Sequence, residues 1–280
     1  MKNIAIQLAA FGLLALLALA PSTALAGHGG SFEAIQSAVQ SGSVDAIAAE
    51  LERTETLICE PCVGLVTNLT EDSRYAVREV AAWWFARRPA LRDMLIDQFT
   101  ADLPHGDTTK VRNAADFLGR TRTLAAIPTL RAAIHRTDIG PEGRLAVVRA
   151  VGFMAHTSAN DVLTTAMVDS DAGVRAQAVI AWRDMLGQRG AQPVVALLGD
   201  GSADVRAQAA AVVGAMGEQS GRAALEGLAV SDVDPAVRRN AVWSLGELGN
   251  AASRPVLIQA SSDKSGLVRG VAKASLSKLH

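Results

Sequence analysis

The sequence predicts an all-α fold: a superhelical α-solenoid of about seven helix pairs, preceded by a divergent N-terminal helical cap. Three observations carry that prediction. Seven arginines, Arg78, Arg112, Arg144, Arg175, Arg206, Arg238 and Arg269, follow one another at intervals of 34, 32, 31, 31, 32 and 31 residues, and so regular a period marks a stacked-repeat architecture. Asp72, Asp138, Asp169, Asp200, Asp232 and Asp263 each stand six residues before one of these arginines, and Asp107 stands five before Arg112. Hydrophobic residues make up 49% of the chain but aromatics only 4%. The apolar content is therefore mostly Ala, Val and Leu, which suits closely packed helices, since alanine has the best helix propensity and lets helix axes approach.

Taken from the start, residues 1–26 place Lys2 ahead of an apolar run from Ile4 to Ala20, then Pro21 and an Ala24-Leu25-Ala26 site. This reads as a cleaved secretory signal peptide. A retained anchor would need about 20 apolar residues without a cleavage site, and a lipoprotein would need a cysteine after the run. The expected location is periplasmic or secreted. Without Lys2 the chain has 26 basic and 28 acidic side chains, a net charge of −2, so nucleic acid is not an expected ligand. After Ala26 every apolar stretch is cut short by Asp, Arg or Gly, so no membrane span is expected.

Residues 27–55 read as a flexible leader and a helical cap. Phe32, Ile35, Ala38 and Val39 form one apolar stripe, and Val44, Ile47, Ala48 and Leu51 form the next. Residues 56–280 form the repeat domain, which opens on Cys59-Glu60-Pro61-Cys62, the only two cysteines. In an oxidising compartment a lone pair forms a disulfide. Helical periodicity resumes at Val63, which puts Cys59 near a helix N-cap, where the dipole lowers a thiol pKa. Two readings follow, a stapling disulfide and a redox-active pair. The Cys-x-Pro-Cys order also looks like a thioredoxin active site, but no alternating strands and helices surround it. Val63 stands where haem attachment needs histidine, and no set of four zinc ligands is visible. His28 beside the new N-terminus offers a copper site at most, against a disordered leader. No metal and no cofactor is expected.

The repeat around Arg238 shows what one unit does. Asp234 is a good N-cap and Pro235 suits the first helical position. Val237, Ala241 and Leu245 make an apolar stripe, Gly246 and Gly249 end the helix, and a further helix runs from about Ala252 to Gln259. Three residues after the marker arginine stand Ala81, Ala115, Val147, Ala178, Ala209, Ala241 and Ala272, the expected place of closest helix contact. Seven after it come Phe85, Val151, Trp182, Val213, Leu245 and Leu276, the expected core; the Arg112 repeat is one residue out of step and offers Leu118. One helix pair cannot bury its own apolar face, so the pairs must stack. The recurring Asp and Arg are then expected to form a structural ladder, the carboxylate capping a second helix and receiving a guanidinium of the same or the adjacent repeat.

The pattern Asp-x-Asp-x-x-Val-Arg-x-x-Ala-x-x-x-Leu-Gly stands nearly intact at 200–214 and 232–246. It resembles the HEAT repeat, in the short variety named after the phycobilisome lyases, over about 72–280. The resemblance implies an armadillo-like solenoid. Relatives in this class include bilin lyases, deoxyhypusine hydroxylase and adaptor proteins, so a lyase- or oxidoreductase-type activity is one implied alternative. The hydroxylase holds two irons with His-Glu pairs, whereas His28, His105, His135, His156 and His280 are never followed by Glu.

Trp83 and Trp243 share a register five residues after the marker, with Phe117, Arg149 and Ile180 at equivalent positions, and Trp84 follows directly. In HEAT-like stacks the second helices line the concave face. The expected function is that of an exported, non-catalytic scaffold binding another cell-envelope protein through Trp83, Trp84, Phe117, Arg149 and Trp243. The bland alternative has the tryptophans filling gaps between alanine-rich helices. The functional alternative is a thiol-disulfide or cofactor-maturation factor using Cys59 and Cys62. No Ser-His-Asp order or phosphate loop stands out.

Overall fold

The computed structural model describes residues 30–279. The expected signal peptide, 1–26, and His28 lie outside the described residues. Sixteen α-helices follow in order: α1 (Phe32–Ser41), α2 (Val44–Arg53), α3 (Glu60–Leu69), α4 (Tyr75–Ala86), α5 (Pro89–His105), α6 (Thr108–Arg120), α7 (Ile127–Ala133), α8 (Gly140–Met154), α9 (Asn160–Ala166), α10 (Ala172–Asp184), α11 (Gln192–Val195), α12 (Ala203–Ala215), α13 (Arg222–Ser231), α14 (Pro235–Leu248), α15 (Arg254–Ala260) and α16 (Gly266–Leu276). Among the described residues there is no strand, only an isolated bridge between His156 and Leu186. The architecture is an all-α solenoid. Pairs α3/α4 to α15/α16 are the seven repeats, and α1/α2 caps them, with α2 packed on α4.

The chain makes two layers, one of odd-numbered first helices and one of even-numbered second helices. Each second helix lies against the second helix of the next pair, along the whole series from α2 to α16. Local chemistry sets each start. Ser31 and Ser43 cap α1 and α2, and Asp171 and Asp234 cap α10 and α14 with their side-chain oxygens. Several first helices enter through a short 3₁₀ turn, as at 157–159, 219–221 and 251–253. There His156, Glu218 and Asn250 accept the backbone N–H two residues ahead.

Two expectations are corrected by the packing. Gly249, in the left-handed region at φ 65°, ends α14, while Gly246 lies inside that helix. Its role is close approach: a Cβ on Gly246 would sit 2.9 Å from the Cα of Ser275 in the next second helix. Gly214 and Gly119 stand in the same relation to Ser244 and Ala150, at 2.6 and 2.4 Å. The tightest crossing therefore falls on these glycines and not on the alanines three after the marker, although those alanines are fully buried. The second helices touch backbone to backbone, and in a stack of helix pairs the more tightly packed layer is expected on the inner, concave side.

The core register holds Phe85, Leu118, Val151, Trp182, Val213 and Leu245, all buried, but Leu276, expected in the same core, is only half-buried, since no further described helix pair follows α16 to cover it. The Arg112 repeat is out of step for a visible reason. Asp107 is itself the N-cap of α6, accepting from the Lys110 N–H at 2.9 Å. It stands five residues before Arg112, whereas the caps Asp171 and Asp234 stand four before their markers, so Arg112 comes one residue late in its helix.

Candidate functional site

The Asp and Arg of the later repeats form a regular ladder between pairs. The guanidiniums of Arg144, Arg175, Arg206 and Arg238 each grip the carboxylate one repeat ahead, Asp169, Asp200, Asp232 and Asp263, through Nε and Nη2 at 2.6–3.0 Å. In the last three of these arginines Nη1 reaches back to the backbone carbonyl of its own repeat's aspartate, and Arg269 does the same at the end of the stack. Each carboxylate also accepts the backbone N–H two residues on, at 2.7–2.9 Å. The aspartate thus shapes the turn, and the residue two later occupies the N-cap. These bonds hold the Asp200 and Asp263 carboxyls below their usual range, chiefly through the arginine hydrogen bond. Burial pushes the Asp169 and Asp232 carboxyls up, but Arg144 and Arg206 with the turn N–H groups outweigh it, so both are also lowered.

The ladder changes in the first three repeats. Asp72 is held by Arg74 and Asp138 by Arg136, both two residues away. Arg112 turns to Asn113 and to Glu142 of the next pair, at 2.7 Å for the latter. Arg78 reaches Asp116 on α6, with Nε at 3.0 Å and Nη2 at 2.8 Å from Oδ2. The other oxygen of Asp116 accepts from Arg149 of α8, Nη2 at 2.8 Å and Nε at 3.3 Å. Both Arg78 and Asp116 are buried, whereas Arg149 keeps part of its surface open.

Arg149 lies over the Tyr75 ring, 4.5 Å from its centroid. The two side chains wall a hollow of about 240 Å³ on the second-helix layer, completed by Gly152, Phe153, Gln177, Ala181 and Asp184. Burial, followed by the nearby charges of Glu79 and Asp116, pushes the Tyr75 hydroxyl up to about 12, so it stays a hydrogen-bond donor at neutral pH. Arg120 stands beside this hollow, over the Phe153 ring at 5.6 Å. Sequence reasoning missed Tyr75 and Asp116. The signal for Asp116 was present: counted in step from Gly119 against Gly214 and Gly246, it takes the place that Ala211 and Trp243, with Trp83, Arg149 and Ile180, hold in the other repeats.

The structure separates the five expected contact residues. Trp83, Arg149 and Trp243 are half-buried on the second-helix layer, and Trp83 walls a further hollow of about 320 Å³ with Val44, Glu79 and Arg120. Trp84 and Phe117 are each 1% exposed and drop out of any contact surface. One residue beyond Trp83 is a turn of about 100° round the helix, which points Trp84 inward, and its indole N–H donates to the Thr54 hydroxyl at 2.9 Å. Phe117 belongs to the out-of-step repeat and stacks on Phe99 at 4.5 Å.

Cys59 and Cys62 are joined by a disulfide, with Cα atoms 5.3 Å apart. Cys59 is the N-cap of α3 and Pro61 stands in its first turn. The pair borders a cavity of about 660 Å³ walled by 55–60, Val63, Trp84, and 87–91. Among the described residues no group of three or more His, Cys, Asp or Glu is placed to hold a metal ion, and no helix is long and apolar enough to cross a membrane.

Comparison with known proteins agrees with this build. Residues 191–277 match the family model for HEAT repeats. No curated protein matches the chain. Among solved structures, YibA of E. coli is similar at 14% identity and a TM-score of 0.57, over 88% of this chain and 92% of that one. A designed armadillo repeat protein in complex with the peptide (KR)4 is 16% identical, TM-score 0.47, over 78% of this chain and 99% of its own. The complex of CpcE and CpcF of phycocyanin lyase from Nostoc sp. PCC7120 is 18% identical, TM-score 0.41, with 78% and 94% covered. Residues 191–277, which hold the last three helix pairs, thus match the HEAT-repeat model, and the whole described chain is an α-solenoid of the same helix-pair build.

Proposed function

We propose that the chain is exported and acts as a non-catalytic scaffold, binding a protein of the cell envelope along its concave second-helix face. The observation that carries this reading is a row in one register: of the seven residues five after a marker arginine, Trp83, Arg149, Ile180, Ala211 and Trp243 are half-buried, while Phe117 of the out-of-step repeat is buried and Ala274 of the last helix is exposed. A core residue would be covered and a solvated face would be charged. This row instead presents partly open aromatic and aliphatic surface with one arginine in its middle, which is the composition of binding anchors. Solenoids of this kind commonly offer their concave surface to protein partners. Arg149 is pre-positioned by Asp116 and Tyr75, so a partner that meets it need not first order a long side chain.

Photo-crosslinking residues placed singly at Trp243, on the concave face, and at Ala224, exposed on the first-helix layer, test the assignment. The reading requires a discrete adduct from position 243 and none from position 224. Adducts from position 224 alone would put the binding surface on the opposite side.

A further inference from the structure

We infer that the cavity beside α3 is a thiol-disulfide exchange site, which accepts an apolar polypeptide segment carrying paired cysteine thiols and oxidises them with the Cys59–Cys62 disulfide. The site lies on the outer flank of the first repeat and is independent of the concave row. Three features converge on it.

The two sulfurs are unequal. Cys59 is half-buried and lines the cavity, while Cys62 is fully buried behind it. A nucleophile arriving through the cavity meets Cys59 Sγ first. The lining is otherwise apolar where a segment would rest: Leu57, Ile58, Val63, Trp84 and Leu91. Ile58 is 97% exposed at the rim, an unusual cost for an isoleucine with no contact to serve.

The cavity also holds a cation without a carboxylate. Arg88 lies over the Trp84 ring at 3.6 Å, and its guanidinium donates to three backbone carbonyls, those of Thr54, Leu57 and Trp84. It makes no ion pair among the described residues. Of the two carboxylates in the lining, Glu55 is engaged by Arg87 at 3.1 Å, and Glu60 is exposed. A fixed charge on Arg88 favours an incoming thiolate over a thiol, and favours a departing thiolate on Cys59.

The third feature is the N-terminus of α3, a helix of ten residues capped by Cys59, whose side chain makes no capping bond in the disulfide form. Pro61 has no N–H to offer. The Cys62 N–H donates to the Cys59 carbonyl at 3.2 Å, so what this helix end offers a sulfur at the cap is the positive end of its dipole.

The exchange balances as follows. A client thiolate attacks Cys59 Sγ, the Cys59–Cys62 bond breaks, and its electron pair leaves on Cys62, which takes up a proton. The second client thiolate then attacks the client sulfur of the mixed disulfide and expels Cys59 as the stabilised thiolate. The client has formed one disulfide and lost two electrons, and the cysteine pair has gained them.

The test follows loss of the Cys59–Cys62 disulfide in the purified full chain, acid-quenched and read by mass spectrometry. The probes are a synthetic apolar peptide with two reduced cysteines and dithiothreitol as a hydrophilic reference. The expected result is a rate for the peptide at least tenfold above that for dithiothreitol, with the trapped peptide on Cys59. Ile58→Ser, a neutral change at a fully exposed position, removes the apolar contact without adding charge beside Cys59 and is expected to bring the peptide rate down to within about twofold of the dithiothreitol rate measured on the same variant. Equal rates for the two probes in the unaltered chain, peptide trapped on Cys62, or an unchanged peptide advantage in Ile58→Ser would each overturn the assignment. None of these outcomes depends on whether the concave row binds a partner.

Discussion

Asp116 joins three helix pairs through one carboxylate: Arg78 of the pair before binds its Oδ2, and Arg149 of the pair after binds its Oδ1. The same side chain therefore both ties the stack together and holds the arginine at the centre of the concave row. Removing its charge leaves two guanidiniums facing each other, one of them fully buried. Asp116→Asn is expected to cost about 3–5 kcal/mol. At about 2–4 °C per kcal/mol for a domain of this size, thermal unfolding followed by circular dichroism should show a midpoint lower by roughly 10 °C. Arg149→Gln leaves the Arg78 pair in place and should cost about 1–2 kcal/mol.

The ladder makes stability depend on acid. Asp169, Asp200, Asp232 and Asp263 all have lowered carboxyl pKa values in the fold. A carboxyl lowered on folding contributes stability above its unfolded pKa of about 3.9, and that contribution is lost as pH falls through the lower folded value. Denaturant titrations from pH 6 down to pH 2 should therefore show stability constant to about pH 5 and falling below it. Asp200→Asn should lose about 1–3 kcal/mol at neutral pH and show a shallower acid slope than the unaltered chain.

Two glycines in second and first helices should respond in opposite directions to the same change. A Cβ on Gly214 would lie 2.6 Å from the Ser244 Cα, in backbone that cannot swing aside, so Gly214→Ala should push α12 and α14 apart and cost about 1–3 kcal/mol. Gly227, inside α13, has nothing within 4 Å of that position. Gly227→Ala should stabilise by about 0.5–1 kcal/mol, because alanine has less freedom to lose on folding. Chemical denaturation of both variants checks the pair.

Much of the fold was legible because stacking repeats the same constraint in every pair. Valine before the marker, alanine three after it and a bulky residue seven after it must recur if second helices are to pack alike, and they do except at Gly143 and Val147 around Arg144 and at Leu118, six after Arg112. The site was legible only in part. Periodicity assigns a residue to a helix face but not to its neighbour, so Trp83 and Trp84 looked alike although one lies on the concave layer and the other in the core. Phe117 was misplaced because Arg112 stands one residue late in α6: the close-approach Gly119 is seven after it, whereas Gly214 and Gly246 are eight after their markers, so Phe117 takes the buried place of Trp84. The cavity beside Cys59 was illegible, since it is bounded by segments 55–60 and 87–91, which only the fold brings together.

The concave row is the centre of the account, and a direct affinity measurement decides it. Binding of the partner captured at position 243 would be measured by calorimetry for the unaltered chain and for the double variant Trp83→Ala, Trp243→Ala, with circular dichroism showing that the helices persist. The account predicts at least a tenfold loss of affinity, corresponding to about 1.4 kcal/mol or more. Unchanged affinity in a folded double variant would contradict it.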